Sequence, residues 1–158
     1  MSAVLEIGRG EFGFCAAHTG LHADGFEPLH GHTFTVVLRL GGDLAAHGMV
    51  TDFGPVKAAL REVIAPLRRR TLVATAVQDV TVQTRDGRVR FGHGDKFYDL
   101  PAGDVALLPT VNTTTEALAA YLLEQVIGVI GQCVGVDWME LTLAEAPDVA
   151  AAVRLDLR

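Results

Sequence analysis

Cysteine is scarce in this chain. Cys15 and Cys133 are the two present in 158 residues, and no Cys-x-x-Cys spacing occurs. A disulfide framework and a thiolate metal or redox motif are thereby excluded, and a reducing compartment fits. There is no long basic run and no basic patch interleaved with aromatics; aromatics make up 6% and the net charge is −6, so nucleic acid is not expected as a partner. No apolar run approaches the length that crosses a bilayer, and Met1 to Glu11 has neither a basic leader nor a long apolar core. No membrane partner is therefore expected, and the reading is a cytosolic protein.

What is present is the balance of a folded globule, 49% hydrophobic against 20% charged, at a length that suits one domain over residues 1–158. Residues Glu11 to His18 alternate as a strand does, with Phe12, Phe14, Ala16 and His18 on one face. After a loop rich in Gly, His, Asp and Pro, a second strand from His30 to Leu40 directs His30, His32, Phe34, Val36, Leu38 and Leu40 to one side.

Asp52 suits the N-cap of a helix whose stripe is Val56, Leu60, Val63, Ile64 and Leu67, with Pro66 ending it and Arg68, Arg69 and Arg70 following. Val80 to Asp99 alternates again, with Asp86-Gly87 as a hairpin turn and His93-Gly94-Asp95 as a second turn. Thr113 and Glu116 have capping-box spacing ahead of a second helix with Leu118, Tyr121, Leu122, Val126 and Val129 inward, closed by Gly128 and Gly131. Met139, Leu141, Leu143 and Glu145 share a face of the next strand, and Val153, Leu155 and Leu157 alternate in a last one. Two helices among several antiparallel strands indicate an α+β fold.

His30-Gly31-His32 puts two rings on one side of a strand, and His18 ends a neighbouring apolar face. Three imidazoles at one rim are a zinc ligand set with the fourth position left to water or substrate. The bland alternative is three polar strand ends satisfied by carbonyls or water. His22, His47 and His93 stay with that alternative, having no second ligand in register. Glu145, at the end of an apolar row, is either solvent-exposed or kept for a ligand.

Phe14-Cys15-Ala16-Ala17-His18, Leu29-His30-Gly31-His32-Thr33-Phe34, Gly48-Met49-Val50-Thr51-Asp52-Phe53 with Lys57, Asn112-Thr113-Thr114-Thr115-Glu116 and Leu143-Ala144-Glu145 together resemble the 6-pyruvoyltetrahydropterin synthase and 6-carboxytetrahydropterin synthase family. The segments come in the family's order, and the stretch from about 73 to 108 resembles it least, reading as an inserted β-meander. The resemblance implies a tunnelling fold, an antiparallel sheet backed by two helices that assembles as a trimer or a dimer of trimers. It implies Zn2+ on His18, His30 and His32, and a pterin substrate held by Glu145 with Thr114, Thr115 and Glu116 close by. A carboxylate suits a pterin's pyrimidine edge because it accepts two parallel hydrogen bonds.

Two departures shape the expected activity. The family's cysteine before the His-Gly-His element is missing, and Glu27 stands three residues before His30 instead. This resembles the glutamate-bearing, type III branch, which cleaves the dihydroneopterin side chain, and it makes Glu27 the candidate general base, with burial expected to raise its pKa. The family's Leu-Asp-His-x-x-Leu reads Leu67-Arg68-Arg69-Arg70-Thr71-Leu72 here. Arginine is no neutral proton shuttle; Arg68 and Arg69 could instead hold a triphosphate, or form a solvated helix-end cluster.

The expectation is thus a zinc-dependent lyase acting on the side chain of 7,8-dihydroneopterin triphosphate or a related dihydropterin. The alternatives are a non-catalytic relative that keeps the zinc site but has lost the relay, and an enzyme whose relay comes from His93 or a neighbouring subunit.

Overall fold

The computed structural model describes residues 1–8, 10–131 and 135–158; Cys133 lies outside the described residues. In chain order the elements are β1 (Ser2–Gly8), β2 (Phe14–His18), β3 (Leu21–His22), β4 (Gly25–Phe26), β5 (His30–Asp43), α1 (Phe53–Ile64), β6 (Thr71–Ala74), β7 (Thr81–Arg85), β8 (Arg88–His93), β9 (Lys96–Pro101), β10 (Val105–Leu108), α2 (Thr115–Ile130), β11 (Val136–Ala146) and β12 (Val149–Asp156). The expected α+β class is what the chain adopts.

The long strand β5 organises the main sheet, whose order is β10-β6-β2-β5-β11-β12. One edge of β5 pairs first with β2 and then, farther along, with β1, while its other edge pairs with β11, all antiparallel. Strict alternation puts Phe34, Val36, Leu38 and Leu40 of β5 and Leu141 and Leu143 of β11 at zero exposure. Both helices cover that face: α1 packs on α2, and α2 packs on β11 and β12.

The sheet is mixed where an antiparallel one was expected. β6 runs parallel to β2, and β10 runs parallel to β6. The ends of the 73–108 stretch therefore belong to the main sheet, and only β7, β8 and β9 form a separate three-stranded sheet. Its first turn is the expected one: Asp86 and Gly87 both have positive φ, 51° and 73°, as a tight two-residue hairpin requires.

The residue Asp52 caps α1, its Oδ1 accepting the Gly54 N–H at 2.8 Å. Pro66, which lacks an N–H, ends the α-helix, and the chain closes with a 3-10 turn over Ala65–Leu67. The cap of α2 is Thr114, not Thr113: its hydroxyl accepts the Ala117 N–H, while the buried Thr113 hydroxyl donates to the Thr19 carbonyl. The buried stripe of α2 is Leu118, Ala119, Leu122, Leu123 and Val126, and Val129, expected inward, is exposed. Phe12 is buried in a 3-10 turn rather than in a strand.

A candidate metal centre and pterin cleft

Strand register brings the three histidines together. His18 stands opposite His30, and Ala16 opposite His32, across the β2–β5 pair, so all three rings leave the same face at its end. Ring centroids lie 4.6 Å apart for His18 and His30, 5.2 Å for His18 and His32, and 4.9 Å for His30 and His32. One ligand nitrogen from each lies within 4.8 Å of the others. Tetrahedral ligands about 2.1 Å from zinc stand roughly 3.4 Å apart, a small contraction from that spread.

Two main-chain carbonyls set the tautomers. His18 Nδ1 donates to Thr113 O at 2.8 Å and His30 Nδ1 donates to Pro28 O at 2.8 Å, which leaves each Nε2 as a lone pair. His18 is buried, and its Nε2 has no hydrogen-bond partner. A buried acceptor left unpaired is costly, and a cation held by three such nitrogens removes that cost. Burial drives the His18 pKa below its ordinary value, with His30 and His32 adding to the effect and the Thr113 carbonyl and Glu145 opposing it. A neutral imidazole is the form that ligates a metal. The donor set fits a divalent ion.

A cleft of about 190 Å³ opens beside these rings, lined by His18, Gly20, His22, Glu27, His30, Thr113, Thr114, Thr115, Glu116, Glu145 and the small residues Val149, Ala150 and Ala151. Glu27 thus lines the same cleft as two of the metal-site histidines. Its Oε2 accepts the Gly20 N–H at 3.1 Å, its Oε1 lies 3.2 Å from His22 Nε2, and its own N–H and C=O are tied to Gly20 O and to the Thr19 hydroxyl. Burial pushes the Glu27 pKa up, but the Gly20 N–H, His22 and His30 together push it further down, so the net shift is downward. The expectation of a raised value is corrected: the side chain is only partly buried, and these three neighbours stabilise the charge.

In the same cleft Thr115 Oγ1 donates to Glu145 Oε2, which holds one carboxylate oxygen in place. Thr114 is occupied as the α2 cap, and Glu116 is exposed at the cleft.

The arginines go elsewhere. The Arg68 guanidinium donates to the Glu11 carbonyl, and Arg69 and Arg70 border a separate groove with Cys15, Gly31, His32 and Asp104. Arg68 is the C-cap of the 3-10 turn that closes α1, and the backbone of Arg69 and Arg70 hydrogen-bonds to Cys15 and Ala17 of β2, so this run leads from the helix end into the sheet. His93 Nδ1 is bound to the Asp79 carbonyl and does not line the cleft.

His22 is a cleft residue that strand patterning missed. It sits in the short β3–β4 hairpin opposite Gly25, and its partner is five residues along the chain, outside any periodic register. Asn112, which opens the Asn112–Glu116 segment, ties that hairpin down: its amide bonds both the N–H and the carbonyl of Leu21.

The family profile described as 6-pyruvoyl tetrahydropterin synthase matches residues 8–156. A crystal structure of 6-pyruvoyl tetrahydropterin synthase from Plasmodium vivax superposes with a TM-score of 0.94 at 28% identity, covering 99% of either chain. A variant of that enzyme in which a catalytic glutamate is replaced by alanine superposes with a TM-score of 0.93 at 27% identity, again covering 99% of each. A protein of Methanocaldococcus jannaschii, provisionally assigned as a 6-carboxy-5,6,7,8-tetrahydropterin synthase, is 27% identical over 144 residues, 89% of this chain and 88% of its own length. With its tunnelling fold and its histidine cluster, the chain belongs to the 6-pyruvoyl tetrahydropterin synthase family and is a tetrahydropterin synthase-like lyase.

Proposed function

We propose that the chain is a zinc-dependent lyase acting on the side chain of 7,8-dihydroneopterin triphosphate or a related dihydropterin, with Glu27 as general base. The observation that carries this reading is the single cleft lined by Glu27, His18, His30 and Glu145. The catalytic glutamate of the P. vivax relative supports it.

His18, His30 and His32 would hold the ion, which as a Lewis acid polarises oxygens of the bound side chain. Glu145 accepts two hydrogen bonds from the amino group and ring nitrogen of the pterin, and Thr115 keeps the carboxylate oriented. Glu27, ionised at neutral pH, takes the proton of a side-chain hydroxyl, and that oxygen becomes a carbonyl as the adjacent carbon–carbon bond breaks. The released electron pair passes into the conjugated pterin ring, and a proton returned from Glu27 quenches it on the carbon left attached to the ring. His22 Nε2, 3.2 Å from Glu27 Oε1, helps to hold that carboxylate ionised and ready to accept a proton. Since Arg68 and Arg69 do not line the cleft of their own chain, any hold on substrate phosphates would serve a neighbouring subunit in a trimer or a dimer of trimers.

The test is turnover of zinc-loaded protein with 7,8-dihydroneopterin triphosphate. Glu27→Gln should lower kcat by about 10²-fold or more at unchanged zinc content. Full turnover by that variant removes the general base, and absence of turnover by the loaded wild-type protein with any dihydropterin removes the lyase reading.

A further inference from the structure

The three-stranded meander β7–β9 is the part of the chain to which neither the main core nor the histidine cluster gives a task. Phe91 of β8 and Tyr98 of β9 pack in one apolar cluster with Val73 of β6 and Phe26 of β4. Ring centroids of Phe26 and Tyr98 are 6.3 Å apart, and those of Phe91 and Tyr98 are 5.5 Å apart. The meander is thereby fixed to both the main sheet and the β3–β4 hairpin.

From this platform two polar groups reach the backbone that carries Glu27. Lys96 Nζ donates to the Phe26 carbonyl at 2.8 Å, one residue before it, and Tyr98 Oη accepts the Leu29 N–H at 2.9 Å, two residues after it. Both bonds are part-buried, so losing either leaves a main-chain group without a ready substitute. Glu27's own amide and carbonyl are tied to Gly20 and Thr19. The segment is held from both sides, and neither anchor from the meander touches the cleft.

We propose that Lys96 and Tyr98 are positioning residues for Glu27: the meander clamps the 26–29 backbone so that the carboxylate faces the cleft. The catalytic consequence rests on the reading of Glu27 as general base; the geometric claim does not. Misplacement of a catalytic group by about 1 Å can cost about 10²-fold in rate, which gives such a clamp a purpose.

The experiment compares zinc-loaded, full-chain Lys96→Met, Tyr98→Phe and the double variant with wild type, using 7,8-dihydroneopterin triphosphate as substrate. Exchange of the Gly20 amide, which donates to Glu27 Oε2, is followed alongside. The double variant should lose roughly 10- to 100-fold in kcat with KM changed less than about twofold. Its zinc content should be unchanged and its Gly20 amide should exchange about tenfold faster. The single variants should show the same changes in smaller measure, and Lys96→Arg, which keeps a donor, should stay near wild type. Wild-type kcat with a wild-type Gly20 amide in the double variant overturns the proposal, as does loss of zinc in step with activity. Undiminished turnover by Glu27→Gln would sink the general-base reading alone, and the Gly20 amide would still decide the clamp.

Discussion

His18 Nδ1 donates to the main-chain carbonyl of Thr113 across 95 residues of sequence. That bond joins the end of β2 to the start of α2 and turns the buried Nε2 of His18 inward without a partner. Because the folded state holds the ligand set and the unfolded chain does not, metal binding should stabilise the fold.

Stripping the metal with a chelator is therefore expected to lower Tm by roughly 5–10 °C when the free metal had been about 100-fold above its Kd. Added zinc should restore it. Differential scanning calorimetry of stripped and reloaded protein checks this, and equal Tm values would contradict it.

The stripped protein should also carry a defined pH dependence. His18 has a folded pKa below its unfolded value of 6.5, so the unfolded chain binds its proton first as pH falls. The contribution of His18 to stability is fully present above about pH 6.5 and is lost as pH falls from there through the lower folded value. Urea midpoints of metal-free protein should decline across that window. In His18→Asn the decline should be shallower.

Gly20 marks a close approach. A Cβ there would meet His22 Nε2 at 3.1 Å, Glu27 Oε2 at 3.2 Å and Asn112 Oδ1 at 3.4 Å. Gly20→Ala is expected to displace the Glu27–His22 pair and lower kcat about tenfold or more while the zinc content holds. Unchanged kcat would show that the pair tolerates displacement.

Much of this was legible in the sequence because strand alternation is a strong local signal. The rows ending in His18 and His30 point where the alternation says, and Asp52 and the Asp86-Gly87 turn act as their side chains dictate. The four-residue strands β6 and β10 were not legible, because Thr71–Ala74 and Val105–Leu108 are too short to alternate clearly and pair parallel across a long sequence gap. The α2 cap was misplaced by one residue within Thr113-Thr114-Thr115, since each of the three can cap and only tertiary contacts to Thr19 and Glu145 assign the outer two elsewhere. His22 and the path of the arginines depend on loop geometry, which no periodicity encodes.

Substrate anchoring can be separated from catalysis at Thr115. Thr115→Val keeps the side-chain shape but removes the donor to Glu145, and should raise KM for the pterin about tenfold with kcat little changed. Steady-state kinetics would read this directly, and a fall in kcat at constant KM would place Glu145 in the chemistry instead.

X-ray absorption at the zinc edge of protein loaded with one equivalent of zinc tests the histidine centre itself. We expect a shell of three imidazole nitrogens at about 2.0–2.1 Å plus one light-atom ligand, and His30→Ala should reduce the imidazole count by one and weaken binding. A shell dominated by oxygen, or a spectrum unchanged in His30→Ala, would show that His18, His30 and His32 do not close on one ion.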